Sequence, residues 1–153
     1  MQLADILQPG AVKSLAQVAS KKRLFHEIAE LAAQVYGVDV AQTLDALQER
    51  EALGPTGVGN GVAVPHARLH GLDRVVGLFL RLEKPLEFDA VDRQPVDLVF
   101  ALLAPKSSGV DHLKALALVS RTLRDPELRA KLRANVDPVA LHAVLAGAQG
   151  LAA

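Results

Sequence analysis

A histidine that follows a glycine-rich segment is the part of the sequence best suited to chemistry. His66 comes directly after Pro65, and glycine occupies every second position of Gly57–Gly61. Glycine lets the backbone bend tightly and lets a partner approach, because no Cβ intrudes. Proline stiffens the backbone beside the histidine. An imidazole presented in this way can act as a nucleophile at neutral pH, with one ring nitrogen free to attack and the other free to be oriented.

The glycine-rich segment also has a simpler interpretation. Glycine clusters are common in turns, so a hairpin with an ordinary surface histidine at its exit remains open. Nucleotide-binding loops are excluded, because no Gly-Lys-Ser/Thr is present for a P-loop. The spacing Gly57-x-Gly59-x-Gly61 also lacks the Rossmann pattern and does not open a helix.

A zinc site is a further alternative. His66 and His70 have the spacing of a helical zinc pair, and His112 would supply a third ligand. The segment lacks the Glu of His-Glu-x-x-His, however. Pro65 and Gly71 predict a loop or at most one helical turn, so the sequence favours a site without metal.

Two helices precede the glycine-rich segment. Apolar residues at helical spacing predict a helix over Lys22–Tyr36, with Ser20 as its cap and Gly37 as its end. Asp39 followed by Gln42 indicates a capping box. The second helix is therefore expected to run to about Arg50-Glu51.

Apolar runs predict the strands that follow. Val62–Val64 is a short strand that Pro65 ends, and Val75–Leu82 and Val96–Ala104 are nearly unbroken apolar runs, as expected of strands covered on both faces. Their connection is too short for a helical crossover, so at least one antiparallel pair is expected. Residues 86–88 are a candidate short strand within that connection. Near the start of the chain, either Leu3–Leu7 or Ala11–Leu15 is a candidate strand.

The last third of the chain predicts three helices. Ser108–Asp111 has the pattern of a capping box that opens a long helix. Asp125-Pro126 and Asp137-Pro138 each place a cap residue before a proline, which predicts two short helices, the last ending at Gly147. The apolar face of the long helix is expected at Leu113, Leu116, Ala117, Ser120 and Leu123. The fold class is thus α/β, a single domain with a mixed central sheet flanked by helices on both faces.

Composition excludes several classes of function. The chain has 153 residues, of which 50% are hydrophobic and 22% charged, and its formal net charge is zero. This profile predicts a globular protein with no field that attracts nucleic acid or an anionic membrane. The absence of cysteine excludes disulfides and thiolate metal sites. The amino terminus lacks a basic signal region and no apolar run reaches about 18 residues, so a cytoplasmic protein without direct membrane insertion is expected.

Three segments resemble a known family. They are Arg50-Glu51-x-x-Gly54-x-Thr56-Gly57-x-Gly59-x-Gly61-x-Ala63-x-Pro65-His66, then Phe88-Asp89-Ala90-x-Asp92-x-Gln94-Pro95-Val96-Asp97-Leu98-x-Phe100-Ala101-Leu102 with Pro105, and finally Asp111-His112-Leu113. In this order they resemble the active-site segment, central strands and second-histidine motif of enzyme IIA of the bacterial phosphoenolpyruvate-dependent phosphotransferase system. The match is to the fructose/mannitol superfamily, which includes the nitrogen-regulatory type. It implies one enzyme IIA type-2 domain over residues 1–153.

The resemblance implies a phosphoryl site without cofactor or metal. His66 matches the phosphorylated histidine, His112 the second active-site histidine, and Arg50 the arginine beside it. A phosphohistidine carries about two negative charges, and an arginine suits its oxygens. His112 is expected in a first helical turn, where backbone N–H groups favour an anion. Without the family, Arg50 could simply offset carbonyl charge and His112 could lie in solvent.

Neighbouring residues are expected in supporting roles. Glu51 is interpreted as a solvated charge. Four residues of the glycine-rich segment are expected to bind phosphate or support the loop, with turn formation as the safer role for the first and third: Thr56, Gly59, Asn60 and Gly61.

The resemblance also implies partners. Phosphoryl groups would pass from phosphoenolpyruvate through an enzyme I and a small histidine carrier protein to His66. Phe88–Asp92 and the length of the chain favour the nitrogen-regulatory type, whose members regulate targets such as potassium-transport and stress-response proteins. Three alternatives stay open: a fructose- or mannitol-specific enzyme IIA that serves a membrane permease, a regulatory binding module that is not phosphorylated, and a zinc hydrolase using His66, His70 and His112.

Overall fold

Short strands and helices follow one another along the chain in an order that brings both ends of the glycine-rich segment to one sheet. The computed structural model describes residues 1–148. Its elements are α1 (Leu3–Ile6), a 3-10 turn (Pro9–Ala11), β1 (Val12–Leu15), α2 (Lys21–Tyr36), α3 (Val40–Leu53), β2 (Gly57–Gly59), β3 (Val62–Ala63), β4 (His66–Leu69), β5 (Val76–Leu86), β6 (Val96–Pro105), α4 (Val110–Thr122), α5 (Pro126–Arg133) and α6 (Pro138–Gly147).

Side-chain caps begin four of the helices, as the sequence predicts. The cap residues of α2, α3, α5 and α6 each accept a backbone N–H of the first turn: Ser20, Asp39, Asp125 and Asp137. Gly37 ends α2 with a φ of 72°, a conformation that glycine adopts without a Cβ penalty. The second hydrogen bond of a capping box, from the Asp39 N–H to the Gln42 side chain, does not form in α3. The Gln42 side chain accepts the backbone N–H of His70 instead. Helix α3 continues to Leu53, about two residues beyond its predicted end.

The sheet is mixed, which confirms the predicted antiparallel pair at its centre. Strands run in the order β1-β5-β6-β3-β2, with β4 also paired to β6. The pairs β5–β6 and β2–β3 are antiparallel, whereas β1–β5 and both pairs of β6 with β3 and β4 are parallel. Residues Leu98–Ala104 are all 0% exposed, because helices flank both faces of the sheet. None of the helices within residues 1–148 combines the length and apolar character that a membrane span requires.

Strands β3 and β4 form one interrupted strand along β6. Val62 pairs with Leu98, and His66 pairs with Leu102. The break falls at Val64-Pro65, where proline has no N–H to donate to the ladder. The sequence predicts a loop or a single turn over residues 66–70, which is wrong, because pairing with the central strand β6 holds 66–69 extended.

Packing decides the structure of two short segments for which the sequence allows a strand. Residues 3–6 form a helical turn, so only the second of the two amino-terminal candidates is a strand. Residue 86 belongs to β5, which continues past a register irregularity between Arg81 and Leu86, so 86–88 is no separate strand. Tertiary contacts decide both cases, since segments this short have little intrinsic preference.

The capping box proposed for α4 is also wrong. Gly109 is the N-cap and gives no side-chain bond, while the Ser108 hydroxyl donates to the Pro105 carbonyl at 3.1 Å. The buried face is rotated relative to the prediction. It consists of His112, Ala115, Leu118, Val119 and Thr122, whereas Leu113 is 65% exposed. A histidine on the buried face and a leucine in solvent reverse the ordinary preference, which indicates that this helix end serves a site.

Candidate active site

His66 is the first residue of β4 and points out of the sheet. Alternate residues of a strand face opposite sides, and here Ala67 and Leu69 are buried whereas Arg68 is exposed. His66 is half-buried on the same side as Arg68. The strand therefore presents an imidazole and a guanidinium together on one surface.

Two hydrogen bonds assign the tautomer of His66. Its Nδ1 lies 2.9 Å from the Val64 carbonyl oxygen, and Arg50 Nε donates to its Nε2 at 3.2 Å. A carbonyl only accepts and a guanidinium only donates. Nδ1 therefore carries the proton in the neutral ring, and Nε2 presents its lone pair toward Arg50.

The surroundings of His66 favour the neutral ring. Burial lowers the pKa of His66 below its ordinary value, and the Arg50 charge acts in the same direction. The hydrogen bond to Val64 and the charge of Glu51 oppose this shift without reversing it. At neutral pH the Nε2 lone pair is thus available for a bond to an electrophile.

Arg50 is held by the last turn of α3. Its Nη1 donates to the Gly54 carbonyl at 3.0 Å, just past the end of the helix. The two interpretations of this residue are therefore compatible, because one guanidinium offsets carbonyl charge and also reaches His66. Ala46, Glu49 and Leu53 share this helix face, since residues three and four apart are neighbours on a helix.

Glu51 is not the solvated charge that the sequence suggests. Its side chain is 9% exposed and forms a 2.9 Å ion pair with Lys21. It also accepts the Thr56 N–H at 3.1 Å and the Thr56 hydroxyl at 2.5 Å. Thr56 is 4% exposed and is thus committed to Glu51 in this structure. The pair fixes the start of the glycine-rich segment.

His112 faces His66 from the first turn of α4. The two rings are perpendicular, with centroids 5.5 Å apart. His112 is 4% exposed, so a position in solvent is excluded. Neither of its ring nitrogens has a hydrogen-bond partner within residues 1–148. Burial, with the His66 and Arg68 charges, lowers the pKa of His112 to about 4, and a buried polar group without a partner is costly.

A cleft of about 440 Å³ opens over the two histidines. Its charged lining contains three cations and one carboxylate: Arg50, Arg68, Lys106 and Glu49. Such a balance suits a small anion. Sequence reasoning missed Arg68 and Lys106. The signals that could have found them are a β-strand period from His66 to Arg68, and the position of Lys106 directly after β6.

Exposed apolar side chains surround this cleft. Leu53 on α3 is 85% exposed and Leu113 on α4 is 65% exposed, and both line the cleft. Val110, one helical turn before Leu113, is 63% exposed. Apolar side chains grouped beside a polar cleft are typical of a surface that contacts another protein. We call Leu53, Val110 and Leu113 the apolar rim.

Gly59, Asn60 and Gly61 lie elsewhere. Asn60 and Gly61 have φ values of 59° and 77° and form the tight turn between β2 and β3, as Asn-Gly favours. Next to this turn, Val62 pairs with Leu98, four residues along β6 from the Leu102 that pairs with His66, a separation on the order of 13 Å. None of the three turn residues lines the cleft. Their position fits loop support.

An ion pair holds this hairpin to the rest of the fold. Arg133 of α5 makes two 2.9 Å bonds to the Asp97 carboxylate and donates to the Asn60 carbonyl at 2.6 Å. A Cβ on Gly61 would lie 2.8 Å from the Asp97 carboxylate, so only glycine fits there without displacement. Arg133 thus joins the turn at residues 59–61, strand β6 and helix α5.

The zinc arrangement does not form. The extended chain of β4 separates His66 from His70, and four extended residues span on the order of 13 Å. The described part of the chain contains no group of three histidine, aspartate or glutamate side chains placed to hold one metal ion.

Comparison with known proteins identifies the class to which this fold and site belong. A family model described as "Phosphoenolpyruvate-dependent sugar phosphotransferase system, EIIA 2" matches residues 5–147. The chain belongs to this family. The resemblance to this family stated from the sequence is therefore confirmed.

Individual relatives show which members of this family the chain is similar to in sequence and fold. The chain is 47% identical to a nitrogen regulatory protein of Bradyrhizobium diazoefficiens over 146 residues, which cover 95% of each chain. It is 39% identical to that of Escherichia coli strain K12 over 151 residues, covering 98% of this chain and 93% of the other. Nitrogen regulatory protein IIA-Ntr from Neisseria meningitidis has the same fold, with a TM-score of 0.85, 35% identity and coverage of 92% and 97%. The chain is thus a phosphotransferase-system component similar to the nitrogen regulatory proteins.

Proposed function

We propose that this protein accepts a phosphoryl group on Nε2 of His66 from a phosphohistidine of a small histidine carrier protein. We further propose that the phosphorylation state controls its binding to regulated partner proteins. One observation carries the proposal: the Val64 carbonyl binds Nδ1 of His66, which leaves the Nε2 lone pair directed at Arg50 over an anion-compatible cleft.

The transfer step balances without a cofactor. The Nε2 lone pair of neutral His66 attacks phosphorus, the N–P bond of the donor breaks, and its electron pair stays on the donor imidazole. The phosphorylated ring keeps its Nδ1 proton and its bond to Val64. No proton has to leave His66, so the lowered pKa of His66 is the condition that the step requires.

Arg50 and His112 supply the electrostatic part of the step. On transfer, the Arg50 Nε–H that now bonds to Nε2 turns to a phosphoryl oxygen, while Nη1 keeps its bond to Gly54. A phosphoryl oxygen would give His112 the partner that it lacks in residues 1–148. Donors that are already positioned before the charge arrives stabilise it without reorganisation.

The surroundings of the cleft support a protein donor. A macromolecular phosphohistidine must enter with its own surface around it, and the apolar rim offers a contact area beside the cleft. Similarity to nitrogen regulatory proteins supports a regulatory role, with potassium-transport or stress-response proteins as the kind of target.

Intact-mass spectrometry at neutral or mildly basic pH tests the proposal. The protein is incubated with phosphoenolpyruvate, enzyme I and the histidine carrier protein, beside His66→Ala and, as a matched control, His70→Ala. Wild type and H70A should each gain one acid-labile phosphoryl group, and H66A should gain none. A wild type that stays unmodified, with donors active on another acceptor, would overturn the proposal in favour of a binding module.

A further inference from the structure

Lys21 lies away from the cleft and is nevertheless tied to its walls. It is the first residue of α2, and its Nζ lies 2.9 Å from Glu51 Oε2, with the two side chains 24% and 9% exposed. Its ammonium also lies 4.4 Å from the ring centroid of Phe88, which is 0% exposed. An ammonium held between a carboxylate and an aromatic face has little freedom, since both interactions fix its position.

Glu51 connects Lys21 to the loop that orients Arg50. It is the residue after Arg50 in α3, and it binds the backbone N–H and the hydroxyl of Thr56. The chain between Glu51 and Thr56 contains Gly54, whose carbonyl holds Arg50 Nη1. Because both ends of this short loop are fixed by one carboxylate, the carbonyl that orients Arg50 is fixed as well.

The charges show why a cation is needed at this point. Glu51 is an almost buried carboxylate, and its negative charge opposes the lowering of the His66 pKa that burial causes. A buried carboxylate without a counter-ion is strongly unfavourable and would also oppose an arriving phosphoryl dianion. Lys21 is the cation that pairs with it.

We propose that Lys21 is a positioning residue for phosphoryl acceptance: through its ion pair with Glu51 it fixes the loop that orients Arg50 against His66. This inference rests on the proposed function for its rate consequences. It assigns to an amino-terminal helix, far from the glycine–histidine motif in sequence, a part in the geometry of the site.

Lys21→Met tests the inference, because methionine keeps an unbranched apolar stem on Phe88 and removes the charge. We expect kcat for phosphoryl acceptance to fall about tenfold with KM for the carrier protein unchanged, since the misplacement of Arg50 affects the step and not docking. The pKa of His66, followed by ¹⁵N NMR of its ring in the unphosphorylated protein, should rise. Lys22→Met, at the exposed neighbour, is the matched control and should change neither quantity.

Two further variants separate positioning from general stability. Lys21→Arg keeps the charge and should restore kcat to within about threefold of wild type. A K21M/E51Q double variant should be no slower than the slower single variant, because both substitutions remove one interaction. If K21M does not fold, Lys21→Gln replaces it with the same expectations.

The outcomes decide the inference separately from the proposed function. If wild type accepts phosphate and K21M matches it in kcat and in His66 pKa, the role of Lys21 is refuted while the proposed function stands. Additive K21M and E51Q effects would also refute it. If wild type accepts no phosphate the proposed function fails, and the NMR titration still tests whether Lys21 controls the surroundings of His66.

Discussion

The cleft and the hairpin turn use arginine in opposite ways. At the turn, Arg133 makes a two-bond ion pair with Asp97 and also binds the Asn60 carbonyl. In the cleft, Arg50 binds one carbonyl and the lone pair of a neutral imidazole, with no carboxylate among its partners in the described chain. The charge of Arg133 is therefore balanced by a carboxylate, whereas the charge of Arg50 is available to an anion that enters the cleft.

This difference shows that the glycine–histidine motif contains two separate devices. Gly59–Gly61 build a turn that Arg133 binds to α5, and His66, at the other end of the motif, is the residue for which we propose the chemistry. A complete ion pair stabilises a fold, whereas a cation opposite a neutral base, next to an unsatisfied His112, is prepared for an anion.

The sharpest test exchanges arginine for glutamine in each region. Arg50→Gln should slow phosphoryl acceptance about 10³-fold, because the cation that stabilises the transferring group is lost. Arg133→Gln should leave the rate within about twofold and lower the free energy of unfolding instead, by about 1 kcal/mol. Single-turnover phosphorylation and urea unfolding measure the two quantities. Similar effects of R50Q and R133Q on the rate would contradict the distinction between a catalytic role for Arg50 and a structural role for Arg133.

Acid should lower the free energy of unfolding because His112 takes up a proton more readily in the unfolded chain. The folded chain keeps this ring neutral down to a pKa of about 4, whereas its ordinary value is 6.5. The unfolded chain therefore binds the proton first, so His112 leaves stability unchanged above pH 6.5 and lowers it from pH 6.5 down to about 4, by roughly 3 kcal/mol in total.

His112→Gln should remove that part of the pH dependence, as measured by urea unfolding from pH 7 to pH 4. The same replacement at His26 on α2 is the control for loss of a histidine. An H112Q variant as acid-sensitive as wild type would show that His112 is not held neutral by its site.

Gly61→Ala should damage the turn and spare the cleft. Its φ of 77° and the close Asp97 carboxylate predict a loss of about 2 kcal/mol in the free energy of unfolding. Gly71→Ala is the matched control, since Gly71 has a φ of 92° and open space around it; it should cost about 1 kcal/mol. A slow phosphoryl transfer in a stable G61A protein would instead place the turn in the reaction.

The smallest expected effect concerns the apolar rim. Leu113→Gln should raise KM for the carrier protein about fivefold with kcat unchanged, because rim contacts contribute to docking only. Val139 on α6, 76% exposed and outside the cleft, provides the control V139Q. An unchanged KM for L113Q would mean that the donor docks elsewhere.

The sequence predicts the parts of this molecule that local chemistry determines. Aspartate and serine caps locate four helix starts, and the unbroken apolar runs locate the two central strands. The strand at residues 66–69 is missed, because proline and glycine at its ends are strong local signals and its pairing with β6 is not local.

The residues of the candidate site fall into the same two groups, those that a local sequence motif identifies and those that only the fold identifies. His66, Arg50 and His112 come from a motif, and the structure brings them together. Arg68 and Lys106 line the cleft from the ends of neighbouring strands, and Lys21, which lies outside the cleft, pairs with Glu51 across 30 positions of sequence. Single charged residues of this kind are ordinary surface residues in a sequence, and only their position beside the cleft or, for Lys21, its burial and its partner distinguish them.

The strand break at Val64-Pro65 makes the site robust to mutation. The group that selects the reactive nitrogen of His66 is a main-chain carbonyl, 2.9 Å from Nδ1, and every amino acid at position 64 supplies one. The path of the chain therefore favours the tautomer with the proton on Nδ1, and the Arg50 side chain favours the same tautomer by donating to Nε2. Residue 64 can therefore vary within the limits of packing while the lone pair stays on the same imidazole nitrogen.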